Sequence, residues 1–394
     1  MMGMNEERTA MTKSSAPPPA ATPAWPRLNH GERETLREVL IHGPLPRAEI
    51  ARRLGVSRAS LTRVTRSLLE HGLIIEGATE QRAWTGRPSE LFDIAPTARH
   101  FFGVKLTGDT IFAAVIDLGA HEVATVEEAL TSRDVADVVK RIAAIYTELS
   151  GAFDDIVAGG VCVAGDLTQD RKLVVDSPFL GWKDVPLASI LTDELGIPMA
   201  TENDVRALTA TEHWFGAGAG CSSLALITVG AGIGFGFVID DRLVAGHHGR
   251  AGRLDHLRID DAGPFCPEGH RGCASVYLTN ESIVRSLNGA AADYTEAVEL
   301  ARGGHPAALR AFRDAGTALG TLIATAANGI DPQKIILTGD GLPVWEIAET
   351  EIRAAIDEVL SAGSERLELD VQPFQFNEWA RAAAVLGIRT VLRF

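Results

Sequence analysis

The amino-acid sequence predicts an α/β protein in two parts, an N-terminal winged helix-turn-helix followed by a two-lobed α/β body. Residues 27–95 contain three short helical patterns and then two strand-like runs. Beyond them, a β-hairpin with a Gly-rich turn is followed by alternating helix and strand, and this order occurs twice. The length of 394 residues is that of two or three domains.

Charge is divided unevenly along the chain. The formal net charge is −15, yet residues 27–99 carry 12 Arg and no Lys against 9 Asp or Glu, which gives +3. Residues 1–26 are balanced, so the remainder carries −18. A basic, Arg-only module joined to an acidic body predicts two separate tasks, with nucleic-acid contacts confined to the module.

The N-terminal module has clear helix boundaries. Its first helix carries Leu and Val at helical spacing and ends at Gly43, and a second helix begins near residue 46 and ends at Gly55. Ser57 is placed to cap a third helix, so residues 55–57 form the helix-turn-helix connection. The predicted buried face of the third helix consists of Leu61, Val64, Leu68 and Leu69.

The outer face of the third helix offers Arg and hydroxyl side chains, which suit base edges and phosphates in a major groove. The strand-like runs flank a polar tip, residues 86–88, which predicts a wing with an Arg in or near the minor groove. The alternative is a helical domain that binds protein, with the Arg residues on a solvated face. The side chains expected to contact operator DNA are Arg47, Ser57, Arg58, Ser60, Thr62, Arg63, Arg66 and Arg87.

Six segments of the sequence carry a family pattern, in the order GRPSELFDIAP, SPFLGWKDVPL, TENDVRAL, VGAGIGFGFVIDDRL, AGRLDH and CPEGHRGC. In these segments the chain resembles the ROK family, which contains sugar-responsive repressors and sugar kinases. The resemblance covers nearly all residues from about 30 onward and implies the actin-like ATPase (ribonuclease H-like) fold. The winged helix in front resembles the repressor branch, because the kinases usually lack it.

The resemblance and the composition together predict the domain organisation. Residues 1–26, rich in Ala, Pro, Ser and Thr, are expected to form a disordered arm, and residues 27–95 the winged helix. The smaller lobe is expected to combine residues 96–204 with 380–394, and the larger lobe to span 205–379. With no apolar signal segment and no run long enough for a bilayer, we expect a cytoplasmic protein without a membrane partner. Its four cysteines are then thiols or metal ligands.

The kinase chemistry of the family is only partly retained. In the kinases, the Asp of the END segment takes the proton of the sugar hydroxyl, and the resemblance places this base at Asp204. The three Gly-rich loops that hold ATP depart from the family pattern, and their new carboxylates repel phosphate. We therefore expect no ATP binding and no enzymatic activity; the alternative is an active sugar kinase with a fused DNA-binding domain. The departures are Lys105 for an acid, Asp109 and Ala231 for Thr, and Phe235 and Asp340 for Gly.

The resemblance also implies a sugar site in the cleft. The expected ligand-binding side chains are Asn203, Asp204, Arg253, His256 and Ser275. Arg253 and Ser275 each stand where the family has Glu, and Phe179 stands where it has Asn. The added positive charge predicts an acidic or phosphorylated sugar as effector, bound by Arg253. The alternatives are that Arg253 pairs with Asp255 or another carboxylate, or that a protein partner controls a regulator that no longer senses sugar.

The segment CPEGHRGC resembles a family zinc site built from one His and three Cys. In that register one Cys has become Glu, and zinc accepts a carboxylate as well as thiolate and imidazole. His270 is a second candidate for the vacant position. A structural Zn²⁺ would support the loop that carries the predicted His ligand to the sugar, and the alternative is a metal-free loop held by packing. The predicted ligands are His256, Cys266, Glu268 and Cys273.

These expectations combine into a sugar-responsive repressor that works as a homodimer or a dimer of dimers. Ligand binding in the cleft is expected to change the angle between the lobes. The dimer would then match, or fail to match, two operator half-sites.

Overall fold

The computed structural model describes residues 24–80, 89–361 and 367–394. The greater part of the predicted N-terminal arm, residues 1–23, lies outside the described residues. So does the predicted wing tip with Arg87.

The N-terminal module contains three helices and a three-stranded antiparallel sheet in the order β1-β3-β2. Its elements are α1 (His30–His42), β1 (Leu45–Pro46), α2 (Arg47–Leu54), α3 (Arg58–Glu70), β2 (Ile74–Glu80) and β3 (Ser89–Ile94). The predicted boundaries have physical causes: Asn29 and Glu32 form a capping box on α1, and Gly55 ends α2 in the left-handed region. The hydroxyl of Ser57 accepts a hydrogen bond from the Ser60 backbone N–H and caps α3.

The smaller lobe is a five-stranded mixed sheet in the order β11-β7-β4-β5-β6, with a three-stranded sheet, β8 to β10, at its edge. Its first elements are β4 (His100–Leu106), β5 (Thr110–Asp117), β6 (Glu122–Ala129), α4 (Val135–Ser150) and β7 (Ile156–Val163). They are followed by β8 (Asp166–Leu167), β9 (Val174–Ser177), β10 (Trp182–Val185), α5 (Leu187–Leu195) and β11 (Met199–Asn203).

The larger lobe has a second five-stranded sheet, in the order β14-β13-β12-β15-β16. Its elements begin with α6 (Asp204–Phe215), β12 (Leu224–Val229), β13 (Ile233–Ile239), β14 (Arg242–Leu243), α7 (Ser275–Leu278) and α8 (Asn280–Ser286). They continue with α9 (Tyr294–Arg302), α10 (Pro306–Ile330), β15 (Lys334–Thr338), α11 (Pro343–Val359) and β16 (Leu369–Val371). The chain then returns to the smaller lobe as α12 (Asn377–Leu392).

The two sheets repeat one topology. In each, a first strand pairs antiparallel with the second and parallel with the fourth, which pairs parallel with the fifth. The repeat of hairpin, helix and strand predicted from the sequence is thereby confirmed, and so is the two-lobed α/β body. Among the described residues, no helix combines the length and the apolar character that crossing a bilayer requires.

Helix α12 packs directly on the backbone of the smaller-lobe sheet. A Cβ atom added at Gly103 of β4 would lie 2.1 Å from the carbonyl oxygen of Ala380. One added at Gly160 of β7 would lie 2.3 Å from the carbonyl oxygen of Ala383. Only glycine permits so close an approach of helix to strand. The strand glycines therefore fix the depth and direction of α12.

The winged helix shares one hydrophobic core with the smaller lobe. This core joins leucines of α1, such as Leu36, to Phe101 of β4 and Leu392 of α12. The Trp25 ring lies 6.0 Å from that of Phe101, and the Arg37 guanidinium lies 4.8 Å from the ring centre of Phe394. The N-terminal module is therefore packed on the body, next to the end of α12.

Replacing Gly103 by Ala tests this packing. We expect Gly103→Ala to lower the free energy of unfolding by about 1–3 kcal/mol, because the new methyl group overlaps the α12 backbone. Gly329→Ala is the control, since a Cβ there meets no atom within 4 Å and Ala favours the helical conformation. The two variants are compared by urea denaturation, and equal stability would contradict the account of α12.

Candidate functional site

Helix α3 presents the basic face of the winged helix. Arg58, Arg63 and Arg66 are exposed, whereas the leucines of the opposite face pack in the core. Among the residues that the structure describes, no carboxylate lies within ion-pair distance of these three guanidinium groups. Ser57 is exposed at the start of the helix, and Ser60 and Thr62 are half-buried. The side chains that the sequence assigns to a major groove thus lie on one helix, with the guanidinium groups free to meet phosphate.

Arg47 lies apart from this face. Its guanidinium stacks 4.9 Å from the ring centre of Phe92, and one terminal nitrogen lies 4.0 Å from Glu76. Arg47 therefore braces α2 against the sheet of the module. The sequence gives no sign of this role, because Phe92 is remote along the chain.

A cleft of about 900 Å³ separates the two lobes. The β4–β5 turn and the start of α6 line it, together with the Gly-rich turn between β12 and β13 and the residues that follow β15. The loop 249–253 and the end of β9 close its mouth. The Gly-rich turns of the two lobes thus face one cavity, as the repeated hairpins predict.

A buried ion pair occupies the centre of this cleft. The ammonium of Lys105 donates a hydrogen bond to the Oδ2 atom of Asp204, and the two residues are 4% and 9% exposed. Lys105 lies on β4 and Asp204 at the first position of α6. The carboxylate at the position of the kinase base is therefore paired with a cation inside the protein. The sequence shows both residues but not their contact.

Asn203 and Glu202 hold the start of α6 in place. The Asn203 amide oxygen caps the helix by accepting from the Arg206 N–H, and its amide nitrogen donates to the Gly165 carbonyl. The buried Glu202 carboxylate accepts a 2.7 Å hydrogen bond from Arg206 and lies 2.6 Å from Arg171. These contacts fix the backbone on which Asp204 is presented to the cleft.

Two of the Gly-rich turns that line the cleft carry a carboxylate. Asp340 accepts a 2.7 Å hydrogen bond from Asn280, and its carboxylate lies so close to Gly230 that a Cβ there would be 1.9 Å from Oδ1. Burial raises the pKa of Asp340. In the first turn, the Thr107 hydroxyl bonds to Asp109 and to backbone groups of the turn itself. The side chains of these turns therefore already have hydrogen-bond partners within the protein, and their carboxylates repel a phosphate.

Arg253 is already paired across the mouth of the cleft. Its guanidinium donates to both carboxylate oxygens of Asp166, at 2.8 and 3.0 Å, and this hydrogen bonding raises the pKa of Arg253. Arg250 approaches the same carboxylate at 3.0 Å. The structure thus supplies the partner that one of the sequence interpretations left open: a local carboxylate, although Asp166 and not Asp255.

The remaining predicted ligand residues divide between the cleft and the region behind it. Asn203, Asp204 and Arg253 line the cleft, and so does Phe179 with 52% of its side chain exposed. His256 and Ser275 are not among the lining residues. The Ser275 backbone N–H donates to the Asp255 carbonyl, which ties α7 to the loop behind the mouth.

A Cys/His cluster lies in that loop. The possible ligand atoms of its four residues all lie within 4.8 Å of one another, and the Cys266 sulfur is 3.6 Å from Nδ1 of His256. A tight turn, in which the Cys266 N–H donates to the His270 carbonyl, brings that second imidazole back to the cluster. The soft sulfur and imidazole donors at this separation fit a tetrahedral Zn²⁺. The cluster consists of His256, Cys266, His270 and Cys273.

Glu268 does not lie with the two cysteines, although it stands in the sequence where the family has a zinc-ligating Cys. Its carboxylate lies 3.2 Å from Nε2 of His256, the nitrogen that faces away from the cysteines, and is largely exposed. Asp255 lies at the same 3.2 Å distance from that nitrogen. A carboxylate on the outer nitrogen orients a ligating imidazole. The structure therefore groups His270, and not Glu268, with the two cysteines.

Comparison with known proteins follows the same division of the chain. The sequence pattern of the ROK family matches residues 101–388, and that of the MarR family matches residues 28–75. The chain belongs to the ROK family. It is 24% identical to the xylose repressor of Bacillus spizizenii, over 82% of this chain and 85% of that protein. It is 27% identical to the DNA-binding transcriptional dual regulator NagC of Escherichia coli K12, over 76% and 77%.

Solved structures agree on the fold. A ROK family transcriptional regulator, described as a homologue of the E. coli MLC protein, superposes with a TM-score of 0.78 at 23% identity, covering 92% of this chain and 97% of that one. A ROK family glucokinase of Streptomyces griseus in complex with glucose and AMPPNP superposes with a TM-score of 0.62 at 28% identity, covering 74% and 99%. The regulator therefore covers more of this chain than the kinase does.

Breaking the ion pair in the cleft should be costly. We expect Lys105→Met to lower the free energy of unfolding by about 3–5 kcal/mol, because it leaves the Asp204 carboxylate buried without a partner. The double variant Lys105→Met/Asp204→Leu should recover most of this loss, since it removes both charges. Urea denaturation of the single and double variants measures the coupling. Losses that simply add would show that the pair does not interact.

Proposed function

We propose that this protein is a transcriptional repressor that binds operator DNA through the winged helix and senses a sugar or sugar derivative in the cleft. The relatives named above are a xylose repressor and a DNA-binding transcriptional dual regulator, which supports the proposal. The exposed Arg residues of α3 supply the DNA contact, and Asn203 and Asp204 supply polar groups for a sugar hydroxyl.

One observation carries the proposal: two helices connect the cleft to the DNA-binding module. Helix α6 begins at the cleft with Asp204, and Trp214 in its last turn packs in the core shared with α1. Helix α12 has Trp379 at the cleft near its start, and its end meets α1 through Leu392 and Phe394. The Trp214 and Phe394 rings lie 5.7 Å apart, so the two helices also contact each other at that end. A ligand that shifts the ends of α6 and α12 at the cleft would also move their opposite ends, on which the N-terminal module packs.

The ligand class follows from what the mouth of the cleft already contains. Because Arg253 is paired with Asp166, no anionic ligand group is needed to satisfy its charge. A phosphorylated or acidic sugar would have to displace that carboxylate. We therefore infer a sugar or sugar derivative whose hydroxyl groups approach Asp204. An acidic sugar would bind less readily, because it has to displace Asp166 from Arg253.

A homodimer or dimer of dimers suits this function, because two symmetric recognition helices read the two halves of an operator. Rearrangement of the lobes around a bound sugar would change the spacing of the two recognition helices and release or strengthen the complex.

The DNA-binding surface is tested by the double variant Arg63→Ala/Arg66→Ala. We expect its affinity for duplex DNA, selected from random sequence with the unaltered protein, to fall at least about tenfold, and the slope of log affinity against log salt to decrease by about 2. Fluorescence anisotropy at two salt concentrations measures both.

The matched control for DNA binding is Arg285→Ala/Arg353→Ala, which removes the same charge from exposed positions on the larger lobe. It should bind DNA as the unaltered protein does. Equal losses in the two double variants would indicate a general charge effect and would contradict a recognition face on α3.

We infer that the Cys/His cluster holds a structural Zn²⁺. Two thiolates and two imidazoles complete a tetrahedral set, and Glu268 and Asp255 orient the His256 ring. Bound there, the metal would fix the loop that follows Arg253 and so the mouth of the cleft. The alternative ligand set, with Glu268 in place of His270, requires the carboxylate to turn inward from its position on the outer nitrogen.

Metal analysis separates these ligand sets. We expect one zinc per chain by mass spectrometry, with His270→Ala losing the metal to a chelator at far lower concentration than the unaltered protein. Glu268→Gln should weaken retention by about 10–100-fold at most, as for a group that only orients a ligand. The reverse order of the two variants would assign Glu268 as the ligand, and no zinc uptake at all would indicate a metal-free loop.

The second candidate function is a sugar kinase with a fused DNA-binding domain. Asp204 favours it, since a carboxylate stands at the position of the base, and the glucokinase shares the fold of the body. The Lys105 ion pair and the Asp340 carboxylate oppose it. A coupled assay with ATP, Mg²⁺ and a panel of sugars should detect no sugar-dependent ADP formation, whereas turnover with any sugar would establish the kinase.

A further inference from the structure

The cleft contains apolar surface that hydroxyl recognition does not explain. Among the described large apolar side chains, three Phe residues are more than two-fifths exposed: Phe179, Phe265 and Phe376. Two of them, Phe179 and Phe376, line the cleft. Aromatic rings left open to solvent inside a cavity are typical of a ligand subsite.

Phe376 belongs to a continuous aromatic wall, here defined as Phe112, Phe374, Phe376 and Trp379. Phe376 stacks on Phe112 with ring centres 5.6 Å apart and an interplanar angle of 19°. Phe374 joins them to Trp379, with ring centres 5.5 Å from Phe376 and 5.3 Å from Trp379. The wall is therefore preformed, and it is built on β5, on the segment that leads into α12 and on the first turn of α12.

The aromatic wall lies next to the Lys105–Asp204 ion pair at the centre of the cleft. Lys105 is paired with Asp204, and its ammonium lies 5.2 Å from the ring centre of Trp379. Lys105 and Phe112 are direct partners across β4 and β5, so their side chains leave the same face of the sheet. A ligand whose hydroxyl groups reach Asp204 would extend its other end along the wall.

The charges of the cleft limit which chemical group of a ligand can lie on the aromatic wall. The carboxylates of Asp109 and Asp340 stand at two of the Gly-rich turns that line the cleft. Arg133 lines the cleft beside the first of these turns, but a phosphoryl group placed on the wall itself would lie against aromatic faces, which disfavour it, and near Asp340 it would meet a carboxylate. A flat, uncharged group would instead gain stacking and apolar burial on the wall.

We propose that the effector is a glycoside with an apolar, planar aglycone, and that the aromatic wall is the aglycone subsite. The sugar ring lies beside Asn203 and Asp204, and the aglycone lies on Phe376 and Phe112. Phe179, in the place of an amide, offers a second apolar face across the opening. This inference rests on the proposed sugar-sensing function and specifies its ligand.

The test compares matched methyl and phenyl glycosides of glucose, xylose and N-acetylglucosamine by calorimetric titration of the full chain. We expect at least one phenyl glycoside to bind on the order of tenfold more tightly than its methyl counterpart. Phe376→Ala should reduce that ratio to about two or less while the methyl glycoside binds as before. Phe265→Ala, which removes an exposed ring outside the cleft, should leave the ratio unchanged.

Equal affinity of each methyl and phenyl pair would overturn the aglycone subsite and leave sugar sensing intact. A phenyl preference that survives Phe376→Ala would also overturn it, because the ring would then bind elsewhere. If no glycoside and no parent sugar bind, the proposed function fails together with this inference. ATP serves as a further probe, since binding that competes with the phenyl glycoside would assign the wall to a nucleobase instead.

Discussion

The close packing of α12 on glycine strands is the constraint on which the rest of the structure depends. Gly103 and Gly160 let the helix lie against the backbone of the smaller-lobe sheet, so its two ends have fixed positions. One end carries Trp379 into the cleft, and the other carries Leu392 into the core shared with the winged helix. Because a well-packed helix moves as a unit, the cleft and the DNA-binding module are mechanically joined.

The Lys105–Asp204 ion pair limits the chemistry that is open to the Asp204 carboxylate in the cleft. A general base has to reach the substrate hydroxyl, and here the Asp204 carboxylate is already hydrogen-bonded to the Lys105 ammonium. The same pair still offers a charged, oriented group for hydroxyl recognition. This arrangement agrees with the proposed role of the cleft in binding a sugar and opposes the kinase alternative.

The sequence predicts the local features of this fold well and its long-range contacts poorly. Helix caps such as Ser57 and the two Gly-turn hairpins depend on neighbouring residues, so periodicity and turn chemistry identify them. The strands β8 to β10 are only two to four residues long and show no period. Lys105 and Asp204 are 99 residues apart, and nothing local couples them. Glu268 occupies the register of a lost Cys, but the backbone turn at Cys266 delivers His270 instead.

The most direct measurement is the affinity of the full chain for its selected DNA duplex with and without a saturating glycoside, in the unaltered protein and in Asp204→Asn. The account predicts that the ligand changes the affinity at least about tenfold in the unaltered protein, in either direction. In Asp204→Asn, DNA binding should persist while the effect of the ligand disappears. DNA affinity that is indifferent to a ligand shown to bind the cleft would contradict the coupling of cleft and winged helix.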